Sequence, residues 1–182
     1  METFAAPREF VAHASYARDR EHTTSVLPVH DIDAPILDVV LRFAELPHCF
    51  TQQCCFGHFV HAGQPDAESP IPLPDHDVGD VTYRIAYLAV CIERSAAGKR
   101  LRETLSAITS VDPDYVQFGS PGWFWDRYPN SYALQVEPDG FKFQDQAVVP
   151  YSEALHIQHV RDRFFERVRS ALSAELRETG AC

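Results

Sequence analysis

The sequence predicts a single α+β domain (mixed α/β), a mixed sheet with helices packed on it, and three observations carry that expectation. The chain has 182 residues, 45% of them hydrophobic, which suits one domain with a core of its own. Stretches with apolar residues at three- and four-residue spacing alternate with stretches of two-residue periodicity, in the order α-α-β-β-α-β-β-β-α. Only one unit, Val81–Phe118, has the form of a βαβ crossover, so helices and strands mix without a repeating parallel pattern.

Residues 1–25 are expected to form a loosely ordered N-terminal segment, within which Pro7–His22 has the pattern of a short amphipathic helix with Phe10, Val11 and Ala14 on one face. A better-signed helix follows. Asp31 or Asp33 caps it, Pro35 suits its first turn, Ile36, Leu37, Val40, Leu41 and Ala44 form its stripe, and Pro47 stops it. His48–His61 is rich in aromatic, β-branched and thiol residues and reads as a strand or part of a hairpin. Residues 64–80 hold Pro65, Pro70, Pro72 and Pro74 among five acidic residues. This composition makes a loop. In it, Asp75, His76 and Asp77 offer cation ligands, with a solvated loop as the simpler reading.

Val81–Glu93 alternates with apolar residues on both faces, as a central strand does. Ser95 caps a helix to Ser110, and Tyr115–Phe118 is a short strand. Gly119–Gly122 is a turn, leading to a loop that carries Trp123 and Trp125. Such aromatics either stack a planar ligand or cover the core. Ser131–Glu137 is a strand, Pro138-Asp139-Gly140 a turn, and Phe141–Val149 adds a hairpin strand. Ser152 caps a last helix to Arg177, with Ile157, Val160, Phe164, Val168 and Leu172 buried. Its arginines Arg161, Arg163, Arg167, Arg169 and Arg177 are offset by Asp162 and Glu166, as on a solvated face.

The net charge is -10, and Lys99 and Lys142 are the only lysines. Phosphate-backbone binding draws on clustered basic residues, so the charge disfavours nucleic acid as a partner. Cysteines number five, Cys49, Cys54, Cys55, Cys91 and Cys182. The odd count, with no basic segment and apolar run in Met1–Phe10 and no apolar stretch of membrane-spanning length, implies reduced thiols, a cytoplasmic protein and no membrane.

Chemistry-bearing residues concentrate in His48–His61, where Cys49, Cys54 and Cys55 stand with His48, His58 and His61. Read as a soft-metal site, this needs side chains on one face. In a regular strand Cys54 and His58 share a face, while Cys54 and Cys55 oppose each other. His156 and His159 on the last helix offer further ligands. Read as a nucleophile, a cysteine needs an imidazole beside it. Packed thiols and hydrogen-bonded imidazoles are the structural alternative to both. No glycine-rich nucleotide loop, Gly-x-Ser-x-Gly or His-Glu-x-x-His motif is present.

Ile32-Asp33-Ala34-Pro35-Ile36, a helix, and then Phe50-Thr51-Gln52-Gln53-Cys54-Cys55-Phe56-Gly57-His58 resemble the wybutosine-synthesising tRNA methyltransferase family. That family has Ile-Asp-x-Pro-Ile at a helix start and then an aromatic residue followed by Thr-Thr-Ser-Ser-Cys-Ser-Gly-Arg. Ile32, Asp33, Pro35, Ile36, Phe50, Thr51, Cys55 and Gly57 match without a gap. Gln52, Gln53, Cys54, Phe56 and His58 depart from the pattern. The resemblance extends loosely over Asp31–Ser120 and implies the family's fold with S-adenosylmethionine as methyl donor. It points to a pocket for a nucleotide-like small molecule at Thr51, Gln53, Cys55, Gly57, Gln117 and Ser120, with His58 as a base for the acceptor. The rival reading is a non-catalytic metal- or partner-binding protein, with zinc as the ion.

Overall fold

The computed structural model describes residues 4–64 and 66–179, so Pro65 and Cys182 lie outside the described residues. The protein is α+β, with the helices packed on antiparallel strands.

The helix signs in the sequence are local and mostly hold. α1 spans Tyr16–Ser25. A short 3-10 turn at Ala34–Ile36 with Pro35 inside it leads into α2, Leu37–Glu45. α3, Ala96–Ala107, is capped by the Ser95 hydroxyl, which accepts the Gly98 N–H at 3.1 Å. α4 spans Gly122–Arg127. α5, Tyr151–Thr179, buries Ala154, Ile157, Val160, Phe164, Val168 and Leu172, the one-sided stripe of a helix laid on a sheet.

The amphipathic helix expected over Pro7–His22 begins only at Tyr16. Several of the described residues before it are hydrogen-bonded to the rest of the chain. Ala5 C=O accepts the Ser120 N–H at 2.9 Å. Arg8 N–H donates to Ser120 Oγ at 3.1 Å, and Asn130 bonds both backbone groups of Val11. This strap uses backbone groups and remote side chains, which leave no periodicity to read.

The strands are β1, Cys49–Cys55, β2, His58–His61, β3, Asp80–Arg84, β4, Ala86–Ile92, β5, Val116–Gly119, β6, Ser131–Val136, and β7, Gln146–Pro150. They form a four-stranded sheet, β1-β4-β6-β5, and a three-stranded sheet, β2-β3-β7. Where a mixed sheet is expected, every described pair is antiparallel. The β4-α3-β5 crossover does return a strand parallel to β4, but β6 lies between them. The segment after the Pro138 turn is not a hairpin partner of β6. β7 pairs with β3 instead.

The two sheets are one sheet folded over. β1 runs into β2 through Phe56 and Gly57, and β3 runs into β4 through Ile85. β1 pairs β4 while β2 pairs β3, and β6 and β7 lie outside that ribbon on the same side. A crease therefore crosses the ribbon at Gly57 and Ile85. Gly57 takes φ +88°, a region that side chains with Cβ disfavour. A Cβ there would stand 2.8 Å from the Ala86 Cβ, so the close approach of the two strands also requires glycine.

A crease interrupts the ladder, and several of the interrupted groups find substitute partners, as buried backbone requires. Asp33 Oδ2 accepts the Phe56 N–H at 2.7 Å. Arg161 donates to the Gly57 carbonyl at 3.0 Å. The Tyr83 hydroxyl accepts the Ala86 N–H at 2.9 Å and donates to the Val136 carbonyl at 2.8 Å. Asp145 C=O accepts the Ile85 N–H at 3.2 Å. Two expectations change here. Asp33 caps no helix with its side chain. Arg161, placed on a solvated face by its charged neighbours in sequence, is 2% exposed, with its guanidinium 3.9 Å from the Phe56 ring centroid.

Candidate functional site

The concave side of the crease holds a cavity of about 800 Å³, within the range of small-molecule sites. Register explains its lining, because residues directly opposite in an antiparallel pair face the same side. One row across the larger sheet is Cys55, Tyr87, Gln135 and Gln117. The matching row of the smaller sheet is His58, Arg84 and Gln146. The cavity lies between the rows and is also lined by Gln53, Cys54, Asp31, Asp33, Glu68 and Asp145. At its mouth α4 supplies Trp123, 59% exposed, and Phe124, whose ring lies 6.2 Å from that of Tyr87. Its sister Trp125 turns inward onto Tyr132.

Of the residues expected to form a pocket, the fold brings Gln53, Cys55 and His58 together on this lining. Thr51, Gly57, Gln117 and Ser120 are not on it. A bulge between Thr51 and Gln53 shifts the register, with Thr51 opposite Val90 and Gln53 opposite Ala89. Because Val90 and Ala89 face opposite sides, so do Thr51 and Gln53. Gly57 builds the crease instead of touching the cavity. Gln117 lies one strand beyond Gln135, and Ser120 is buried under the N-terminal strap.

The crease also corrects the pairing of thiol and imidazole. In an uninterrupted strand, His58 would face the same side as Cys54 and the side opposite to Cys55. The left-handed Gly57 reverses the alternation, and Cys55 meets His58. Asp33 arrives from just before the Ala34–Ile36 turn, and one ligand atom each of Asp33, Cys55 and His58 lies within 4.8 Å of the others. His58 Nε2 stands 3.3 Å from Asp33 Oδ2, and His58 Nδ1 stands 3.4 Å from the Ser69 carbonyl. Gly57 N–H donates to Cys55 Sγ at 3.4 Å.

The charges follow from these contacts. The bond to Asp33, then that to Cys55, outweighs burial and raises the His58 pKa to about 10. Burial of Asp33 favours its neutral form, but the bonds from His58 and the Phe56 amide prevail and hold it below the usual carboxylate range. His58 is therefore protonated at neutral pH in the absence of another cation, which does not fit the base expected from the sequence. Burial pushes the Cys54 thiol up to about 12, aided by the charges of Asp33 and Cys55, and keeps it from being a thiolate.

The other clusters read from the sequence do not join this site. His48 is buried against Glu175 at 3.3 Å, and His156 lies 3.6 Å from Asp112 on the flank of α5. Cys91, His13 and Asp19 form a file, with 3.7 Å from Cys91 Sγ to His13 Nδ1 and 3.0 Å from His13 Nε2 to Asp19. Cys91 is fully buried, and burial raises its thiol to about 12, as in packing chemistry. Among the described residues, Asp33, Cys55 and His58 are the one group whose ligand atoms converge. Sequence reasoning missed Tyr87, Arg84, Gln135 and Gln146. One signal was present, since Gln135 is a buried amide within the otherwise apolar run of β6.

These features define a creased antiparallel α+β protein with a polar, aromatic-rimmed cavity at the crease. No protein-family model matches the chain, and no curated protein matches it. Among solved structures it is similar to the PH1069 protein from Pyrococcus horikoshii, with a TM-score of 0.50 and 12% identity over 88% of this chain and 96% of that one. A second structure of PH1069, from Pyrococcus horikoshii OT3, gives a TM-score of 0.51 and 12% identity over 90% and 94%. A hypothetical protein from Aeropyrum pernix covers 80% of this chain and 96% of its own, with 12% identity and a TM-score of 0.38. The likeness to PH1069 shows a shared fold. No helix among the described residues is long and apolar enough to cross a membrane.

Proposed function

We propose that the crease cavity binds a nucleoside-like small molecule, that this molecule is S-adenosylmethionine, and that the protein transfers its methyl group to a small acceptor in the cytoplasm. The observation that carries the reading is the lining. Trp123, Phe124 and Tyr87 offer faces for a purine, and Gln53 and Gln146 carry amides that read the edge of a base. Asp31, Asp33, Glu68 and Asp145 outnumber Arg84 and His58 around the same space. A carboxylate excess suits a ligand with a sulfonium and an ammonium group and opposes one made of phosphates. Arg84 is further neutralised by its ion pair with Glu68. The donor set therefore fits S-adenosylmethionine, and it disfavours a polyanionic acceptor such as tRNA.

The sulfonium would supply an activated methyl group, so the protein's work is chiefly orientation and exclusion of water. Trp123 and Phe124 close the apolar side of the mouth. The glutamine amides fix the plane of the bound ring.

Calorimetric titration with S-adenosylmethionine and S-adenosylhomocysteine tests this reading. Binding of both is expected, tighter for the charged sulfonium, and weakened by Gln53→Ala. Absence of binding to either by the folded protein overturns it.

A further inference from the structure

We propose that Asp33, Cys55 and His58 form a zinc-type metal site on the floor of the cavity, with a fourth position open to it. This inference goes beyond the cofactor reading and stands without it.

The three side chains are of the types zinc takes: a carboxylate, a thiolate and an imidazole. Their arrangement is triangular. A file of acid, imidazole and thiol runs in a line through both ring nitrogens, an arrangement that the buried Cys91, His13 and Asp19 show. Here each of the three atoms lies within 4.8 Å of both others, which is how ligands of one ion are placed. His58 Nε2 and Asp33 Oδ2 are 3.3 Å apart. This separation equals the edge of a tetrahedron with metal–ligand bonds of roughly 2.0 Å, which is about 3.3 Å.

The surroundings point the same way. A metal-bound imidazole commonly gives its other N–H to a backbone carbonyl, and His58 Nδ1 faces the Ser69 carbonyl at 3.4 Å. The carboxylate is steadied by the Phe56 N–H at 2.7 Å, and the sulfur by the Gly57 N–H at 3.4 Å. Two of the three outer contacts come from the crease itself, so the backbone distortion and the site have one origin. Protein supplies three ligands from one side, and the cavity of about 800 Å³ lies on the other. Three ligands with an open position is the form of a catalytic rather than a structural zinc. Loading forms no bond other than those between the three side chains and the ion, and any protons on the ligand atoms pass to water.

The test uses the whole chain, stripped with a chelator and checked for folding by circular dichroism. Titration with Zn²⁺ by calorimetry is expected to show one ion per chain, and Co²⁺ to give visible d–d bands with a thiolate-to-cobalt charge-transfer band. Cys55→Ser is expected to abolish that band and to weaken zinc binding beyond the roughly 10- to 100-fold typical of losing an outer contact. Cys54→Ser, at the neighbouring thiol, is expected to change neither. Asp33→Asn retains an oxygen for the Phe56 N–H, so it separates loss of a ligand from loss of the fold, and it too is expected to weaken zinc. A folded wild-type protein that takes up no stoichiometric Zn²⁺ overturns the proposal, as does a cobalt spectrum indifferent to Cys55→Ser. All these titrations omit S-adenosylmethionine, so their failure is distinct from failure of the cofactor reading.

Discussion

Replacing Gly57 with alanine is expected to destabilise the protein by about 2–5 kcal/mol. Gly57 has φ +88°, and a Cβ would lie 2.8 Å from the Ala86 Cβ, 3.0 Å from its nitrogen and 3.1 Å from its Cα. The left-handed conformation costs a residue with Cβ about 1–2 kcal/mol. Overlap with neighbours that cannot rotate away adds about 1–3 kcal/mol, because two of the three atoms are backbone. Relief would require Ala86 to withdraw, which strains the bond from its N–H to the Tyr83 hydroxyl, 2.9 Å. Urea unfolding followed by circular dichroism measures the effect. With a slope of about 2 kcal/mol per molar, a loss of about 3 kcal/mol lowers the midpoint by roughly 1.5 M. Gly140 has open space around its Cβ position, so Gly140→Ala serves as a control and is expected to change stability by less than about 1 kcal/mol. If Gly57→Ala costs no more than Gly140→Ala, the crease does not depend on this residue and the argument for the site's geometry fails with it.

Arg161→Ala is expected to cost about 3 kcal/mol or more, since it orphans the Gly57 carbonyl and removes the guanidinium from over Phe56 and Phe59. Arg161→Lys should recover only a minor part, because an ammonium neither stacks nor forks, and equal stability of the lysine variant and wild type in urea would refute this. Trp123→Ala is expected to weaken S-adenosylhomocysteine binding about tenfold or more by loss of a stacking face, with calorimetry as the check and unchanged affinity as the refuting result. The Ser15 hydroxyl, with help from His13 and Arg18 and against burial, lowers the Asp19 pKa from 3.8 to about 2. A lowered carboxylate contributes stability above its unfolded pKa and loses it as pH falls through the folded one. Asp19→Asn should therefore cost about 1–2 kcal/mol at neutral pH, allowing for solvent screening, and nothing near pH 2. An equal difference between variant and wild type at both pH values would refute this.

The likeness of fold to PH1069, at 12% identity, leaves the chemistry of the cavity to be argued from this chain's own residues. Gln53, Cys55 and His58 are legible as site residues in the sequence because polar and thiol groups crowd a short apolar run there. Asp33 is legible as a helix cap and as a residue of the family motif but not as a neighbour of His58, since its proximity to Phe56 and His58 depends on how α2 is set against β1. Tyr87, Arg84, Gln135 and Gln146 enter the cavity through register, which joins residues up to 93 positions from Gln53.

The sequence by itself determined the α+β class, the turn at Pro35 that leads into α2, the Ser95 cap of α3, the stripe of α5 and the Pro-rich loop. Those features rest on contacts within a few residues, where propensity, capping and periodicity act directly. Only the tertiary structure decided that Val81–Glu93 is two strands in two sheets, that β7 joins β3, that Arg161 lies inside, and that His58 faces Cys55 rather than Cys54. Each of these depends on the crease, where a positive φ at Gly57 and a close approach to Ala86 reverse the two-residue alternation. Alternation is a rule about regular strands, and it is silent about the point at which a strand turns over.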